Sequence, residues 1–312
     1  MKTIFSIFIK TLVFSCLVLS MSCPASKTVS EMVLVGSTPC DSTIKLLLSI
    51  PANEKTDFIK WNLKLTGTSN DQNTFSLSVN YGESQPNTLG FKNGGIERSF
   101  EGTCSIIDNR STNGSEIYQL NSKKFSGTIS LLKISENLFH VLTPQNRLMT
   151  GNGGWSYTLN REVPVFRDKI LIVSSVSDTN WLQLVYDGRT PCREISNQHP
   201  EMNTSPSCFK LKWKLILNKD SLTHHPATCV IRKVVDNQPR DISGKWTLTR
   251  GLPEKPDAII YTIAPDKPGE SISLLVADDN VLFFLDKNNL PYIGNKDFSY
   301  TLNNKKEATV GK

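Results

Sequence analysis

The sequence predicts an all-β protein built from two tandem antiparallel meander β-barrels. Two observations carry this. The stretch Ile129–Asn160 (ISLLKISENLFHVLTPQNRLMTGNGGWSYTLN) returns without a gap at Ile272–Asn303 (ISLLVADDNVLFFLDKNNLPYIGNKDFSYTLN), so the chain holds two copies of one unit. Short runs of alternating apolar and polar residues recur between Gly, Pro, Asn and Ser turns, which is the pattern of half-buried strands joined in a meander. A length of 312 residues suits two domains.

From the N-terminus, residues 1–22 read as a signal peptide. Lys2 and Lys10 precede an apolar run, Thr11–Met21, that is too short to span a bilayer. The run ends in Leu19-Ser-Met-Ser-Cys23, a small residue directly before a cysteine, which resembles a lipoprotein box with Cys23 as the acylated residue. Simple signal-peptidase cleavage is the alternative. The expected products are a cell-envelope protein, most simply an outer-membrane lipoprotein, or else a periplasmic or secreted one. The formal net charge is +6, and both signs are spread along the chain. A nucleic-acid footprint needs clustered Lys/Arg with interleaved aromatics, so nucleic acid is not an expected partner.

The first barrel is expected over residues 23–160. Met32–Val35 reads as a strand running into Gly36-Ser-Thr-Pro-Cys40, and the apolar run Ile44–Ile50 is compatible with another. Trp61, Leu63 and Leu65 alternate with lysines and Asn62, and Phe75, Leu77, Val79 and Tyr81 with Thr, Ser and Asn. Further strands are expected near 100–106, 116–120, 127–134, 138–142 and 155–159. Residues 161–169 read as a linker. The second barrel, 170–303, repeats the landmarks in order: Gly188-Arg-Thr-Pro-Cys192 answers Gly36-Ser-Thr-Pro-Cys40, and Trp213 answers Trp61 at the same offset. Residues 304–312 read as a frayed tail.

The run Tyr186-Asp-Gly188-Arg-Thr-Pro-Cys192, followed by strands, a Gly-x-Trp at Gly244–Trp246 and closing hairpins, resembles the N-terminal domain of NlpE-type outer-membrane lipoproteins. That resemblance implies lipocalin-like barrels and an envelope location. The family's Cys-x-x-Cys is absent from both copies, since Cys40 is followed by Asp-Ser-Thr and Cys192 by Arg-Glu-Ile. Copper handling is therefore the weakest of the roles the resemblance offers.

The chain has seven cysteines. Besides Cys16 and Cys23, an exported protein would pair the rest in disulfides, one of them left over. Cys40–Cys104 is the natural pair of the first copy. Cys192 can join Cys208 or Cys229, and Cys208, in a Pro/Ser-rich loop, is favoured. No Cys or His stands at ligand spacing beside them, so no metal is expected. His224-His225 reads as a solvated loop, His140 as a strand residue, and Asp278, Asp279 and Asp286 as turn carboxylates. Trp61, Trp155, Tyr157, Trp213, Trp246 and Tyr300, together with Tyr261, form the one constellation of interest. They either line a pocket for a small hydrophobic or amphipathic ligand or simply fill the barrels. Nucleophile-elbow, zinc-protease, P-loop and dinucleotide-binding motifs are absent from the sequence. The expected function is therefore non-catalytic, without cofactor: apolar ligand binding in a barrel, or alternatively an envelope scaffold or stress sensor acting through protein contacts.

Overall fold

A computed structural model describes residues 30–67, 73–109, 115–177, 181–193, 195, 208–235, 238–266 and 271–305. The expected signal segment and Cys23 lie outside the described residues, as does most of the tail. Two closed antiparallel barrels of eight strands each stand in tandem. The first comprises β1 (Ser30–Pro39), β2 (Phe58–Gly67), β3 (Asn73–Gly82), β4 (Ile96–Asn109), β5 (Ser115–Asn121), β6 (Ile129–Lys133), β7 (Leu138–Val141) and β8 (Thr158–Arg161). The second comprises β9 (Gln183–Thr190), β10 (Leu211–Lys219), β11 (Pro226–Val235), β12 (Gln238–Leu252), β13 (Lys255–Pro265), β14 (Ile272–Asp278), β15 (Val281–Leu285) and β16 (Thr301–Asn304). Sequential strands pair throughout. Each barrel closes when its last strand returns to its first, with Val35 opposite Asn160 and Asp187 opposite Asn303. Closure leaves neither sheet with a free edge.

The matched Gly-x-Thr-Pro-Cys runs follow from this closure. A Cβ on Gly36 would stand 2.9 Å from the carbonyl oxygen of Thr158, and one on Gly188 2.6 Å from that of Thr301. Only glycine lets the closing strands come so near. Two residues further, Thr38 and Thr190 accept the indole N–H of Trp61 (2.9 Å) and Trp213 (2.8 Å), which satisfies a buried donor in each core.

The expected alternation holds in β2 and β3: Trp61, Leu63 and Leu65 face inward with Phe75, Leu77, Val79 and Tyr81. Ile44–Ile50 departs from expectation. Its first half belongs to helix α1 (Ser42–Leu47), whose N-cap is Asp41, its carboxylate accepting from the Ile44 N–H at 2.9 Å. Ile44, Leu47 and Leu48 then turn into the core at helical spacing. The cap together with this spacing outweighs the β propensity of an apolar run. The linker is also longer than 161–169. Arg161 belongs to β8, and β9 begins only at Gln183. Between them Ile170 and Ile172 are buried, the Leu171 N–H donates to the Ile134 carbonyl, and the Ser175 N–H to that of Ala277 (2.9 Å each). The connector thus straps one barrel to the other.

Between the barrels lies a third apolar core. Ile134 and Leu138 of the first copy meet Ala258, Ile260, Leu275, Val281 and Phe283 of the second, around Ile170 and Ile172. This is why every residue of β7 and β15 is buried, on both faces of its strand. The polar contacts of the seam obey a pseudo-twofold axis. Ser156 meets Ser299, and Thr158 meets Thr301 at 2.9 Å; each pair is one repeat position, 143 residues apart. Asn160 Oδ1 accepts from the Gly294 N–H, and Asn303 Oδ1 from the Gly151 N–H, both at 2.7 Å. Reciprocal contacts of this kind define an isologous interface. A Cβ on Gly151 would reach the Asn303 side chain at 2.9 Å, and one on Gly294 that of Asn160 at 2.8 Å. The repeated Gly-Asn and Ser-Tyr-Thr-Leu-Asn runs therefore serve two purposes. Tyr157, Leu159, Tyr300 and Leu302 fill the barrels, while the residues between them form the seam.

Candidate functional site

The aromatic constellation divides. Trp61 and Tyr157 lie in the core of the first barrel, and Trp213, Trp246 and Tyr300 in that of the second. They pack on one another and on their neighbours. Trp246 stands 5.0 Å from Tyr261, Trp213 5.0 Å from Phe284 and Tyr300 5.0 Å from Tyr292, ring centre to ring centre. The Trp246 indole donates to the Asn218 carbonyl at 2.7 Å. Burial drives the Tyr157 phenol far above its ordinary range, helped by the Asp41 carboxylate, and raises Tyr261 to about 12. These side chains fill the barrels, and the indoles of Trp61, Trp213 and Trp246 all donate to partners within the protein.

Trp155 is the exception, and it corrects the expectation that it points inward on a closing strand. It precedes β8 and stands outside both cores, at one end of the seam. Its ring lies flat on Phe58 (4.5 Å, planes 6° apart), which in turn stacks on Phe91 (4.2 Å). The Arg189 guanidinium of the second barrel sits 5.4 Å from the Trp155 ring centre. Sequence reasoning missed Arg189, Lys212 and Gly154, which complete this end. Their signal was the departure of Arg189 and Gly154 from the repeat, against Ser37 and Asp297.

The cysteines agree in part. Cys192 and Cys208 form the favoured disulfide. The expected Cys40–Cys104 pair does not form: both are free and buried, as is Cys229. The first barrel closes by strand pairing, and its two cysteines are separate members of the packed core. Burial raises all three thiols, Cys104 and Cys229 to about 11, so they stay protonated and act as small apolar residues. The disulfide joins Cys192, just past β9, to Cys208, ahead of β10; between the equivalent strands β1 and β2 the first copy carries α1.

His140 is fully buried at the seam. Its Nε2–H donates to the Met149 carbonyl at 2.8 Å, which leaves Nδ1 to accept from the Thr158 hydroxyl at 3.1 Å. Thr158 is then free to accept from Thr301, and Thr301 accepts from Ser299 at 3.0 Å. Ser299 meets Ser156, completing a row of hydroxyls along the pseudo-axis. Burial lowers His140 to about 4, although its bond to Met149 opposes this.

Two equivalent corners flank the pseudo-axis at this end of the seam, where Asp297, Phe298, Trp155 and Arg189 line one recess; they share a backbone and differ in side chains. At one, the Asn295 side chain accepts from the N–H groups of Asp297 and Phe298 (2.9 Å each), and the Asp297 carboxylate pairs with Lys60 at 2.7 Å and Lys296 at 3.1 Å. At the other, Asn152 accepts from Gly154 and Trp155 (3.0 Å each), so Gly154 holds the place of Asp297. Lys60 stands opposite Ser37 in the β1–β2 register, and Lys212 opposite Arg189 in β9–β10. Gly154, Arg189 and Lys212 line one recess of about 430 Å³ with Trp155 and Asp187.

His224 and His225 are exposed on the turn capped by Asp220. Asp279 accepts from the Ser177 N–H at 3.0 Å, and Asp286 accepts from the N–H groups of Asn288 and Leu290 within its turn. Among the described residues no three His, Cys, Asp or Glu side chains group as metal ligands, and no helix is long and apolar enough to cross a membrane. Comparison with protein-family models, curated proteins and solved structures finds no match to this chain.

Proposed function

We propose that this is a non-catalytic protein of the bacterial cell envelope, held there by a lipid on Cys23, whose joined barrels form a rigid scaffold for another envelope protein. The observation that carries the scaffold reading is the packing of both barrels. Trp61, Tyr157, Trp213, Trp246 and Tyr300 occupy the space where a lipocalin-like barrel would take a ligand. An apolar guest would have to displace side chains that each stabilise the fold by about 1.5–3 kcal/mol through burial. The seam supports the same reading, since it holds two outer surfaces in one fixed relation. The resemblance to NlpE-type lipoproteins supports the envelope location.

Titration with a hydrophobic fluorescent probe separates this from ligand binding. A scaffold takes up none; saturable uptake near one per barrel would overturn the scaffold and restore the ligand reading. Crosslinking in intact envelopes should capture a defined partner. Cys23→Ala should abolish fatty-acid labelling and release the protein from membranes; unchanged labelling would remove the anchor.

A further inference from the structure

The unequal sides of the pseudo-axis say what the open one can hold. On the closed side, the Asp297 carboxylate of the second barrel fills the gap and meets Lys60 of the first. On the open side the same backbone carries Gly154, and Lys212 takes the place of Lys60. The two sides adjoin, since Asp297, Phe298, Trp155 and Arg189 line one recess. We propose that the Arg189–Lys212 recess is a binding site for a carboxylate group supplied by a second molecule, seated as Asp297 is on the closed side.

Three further observations support it. An ideal Cβ on Gly154 would lie 3.1 Å from Asn152 Oδ1 and 3.7 Å from Cζ and Nη1 of Arg189, so a side chain there would reach the guanidinium. Arg189 is partly buried, and loss of solvent lowers its pKa, so its charge is poorly hydrated and gains from a counter-ion. Trp155 holds it from one side, which leaves its donors free to form the paired bonds that suit a carboxylate. The recess also contains Asp187, whose side chain lies under Gly153. Asp297 shares the adjoining recess with Arg189 but is paired with Lys60 and Lys296. Arg189 and Lys212 are thus left to an incoming carboxylate. Phosphate would fit the charge, but the internal precedent is a carboxylate. The group can come from an acidic side chain of a docked protein or from a small free acid.

The test uses the full-length protein and the Trp155 indole N–H resonance. Glutarate is the free-acid probe. A blocked peptide with one Glu side chain is the protein-borne probe. Each is compared with sodium chloride at equal ionic strength. A saturable shift from either probe is expected, and which one acts identifies the source. In Gly154→Asp the variant's own carboxylate should occupy the recess and abolish the response; Arg189→Gln should abolish it by removing the guanidinium. Absence of a shift beyond that of chloride overturns the proposal. So does a response that survives in either variant with a native-like spectrum, because the site would then lie elsewhere.

Discussion

His140 and Phe283 occupy one position of the repeat and meet edge to face across the pseudo-axis, 6.0 Å apart. Both are fully or almost fully buried. One is a plain apolar wedge; the other is a neutral imidazole that cannot take up a second proton without cost. The pair shows that a symmetric backbone can seat unlike chemistry, provided that each side chain is satisfied by its own surroundings. Phe283 packs into the apolar core of the seam, whereas His140 needs Met149 and the hydroxyls.

The comparison can be broken from either side. Phe283→Ala should have the largest effect, about 3–5 kcal/mol, because it opens a cavity in the seam. Denaturant unfolding would measure it, and a cost below that of an exposed substitution would remove Phe283 from the core. Acid acts on the other member. An unfolded histidine titrates near 6.5, and folded His140 at about 4. Between those values the unfolded chain binds the extra proton. Stability from His140 is therefore complete above about pH 6.5 and falls by about 3 kcal/mol as pH drops to the folded value. His140→Phe, which copies the partner position, should flatten that part of the pH profile.

The barrels also differ in covalent restraint. Opening Cys192–Cys208, which spans 16 residues, should destabilise the second barrel by about 3 kcal/mol and leave the first untouched, since Cys40 and Cys104 are already thiols. Tryptophan emission from single-Trp variants with and without reductant would separate the two. The smallest effect tests the reciprocal asparagines. Asn160 uses both ends of its amide, its Nδ2 donating to the Asn295 carbonyl at 3.0 Å, whereas Asn303 Nδ2 is buried without a partner among the described residues. Asn160→Ala should cost about 2 kcal/mol and Asn303→Ala about 1; equal costs would show that the contact is more symmetric than its geometry.

Much of the fold was legible. The repeat announced two units, and period-two alternation placed β2 and β3. Gly36, Thr38 and Trp61 with their partners Gly188, Thr190 and Trp213 marked equivalent places, although their reason, strand closure and an indole–hydroxyl bond, was not visible. The seam was the main loss. Alternation marks the inward face alone and leaves open what Ser156, Thr158 and Asn160 face. Two signs point to a second barrel. Val281–Leu285 is apolar on both faces, which a barrel strand with one wet side would not be. The outward polar residues of Ser-Tyr-Thr-Leu-Asn repeat as faithfully as the inward ones, which solvent exposure does not require. Trp155 was misplaced because an aromatic beside an alternating run was counted into it. The Cys40–Cys104 pairing rested on counting thiols, and the sequence gives no distance between them.

The row of hydroxyls has one more consequence. A hydrogen-bonded row has a sense, donor to acceptor, and a twofold axis has none. Identical copies would leave Thr158 and Thr301 with two equivalent proton arrangements. His140, accepting at Nδ1, selects one: Thr301 gives to Thr158, and Thr158 gives to the imidazole. A proton added at Nδ1 would turn that nitrogen into a donor, and the Thr158 hydroxyl, the end of the row, would have to rotate away from it.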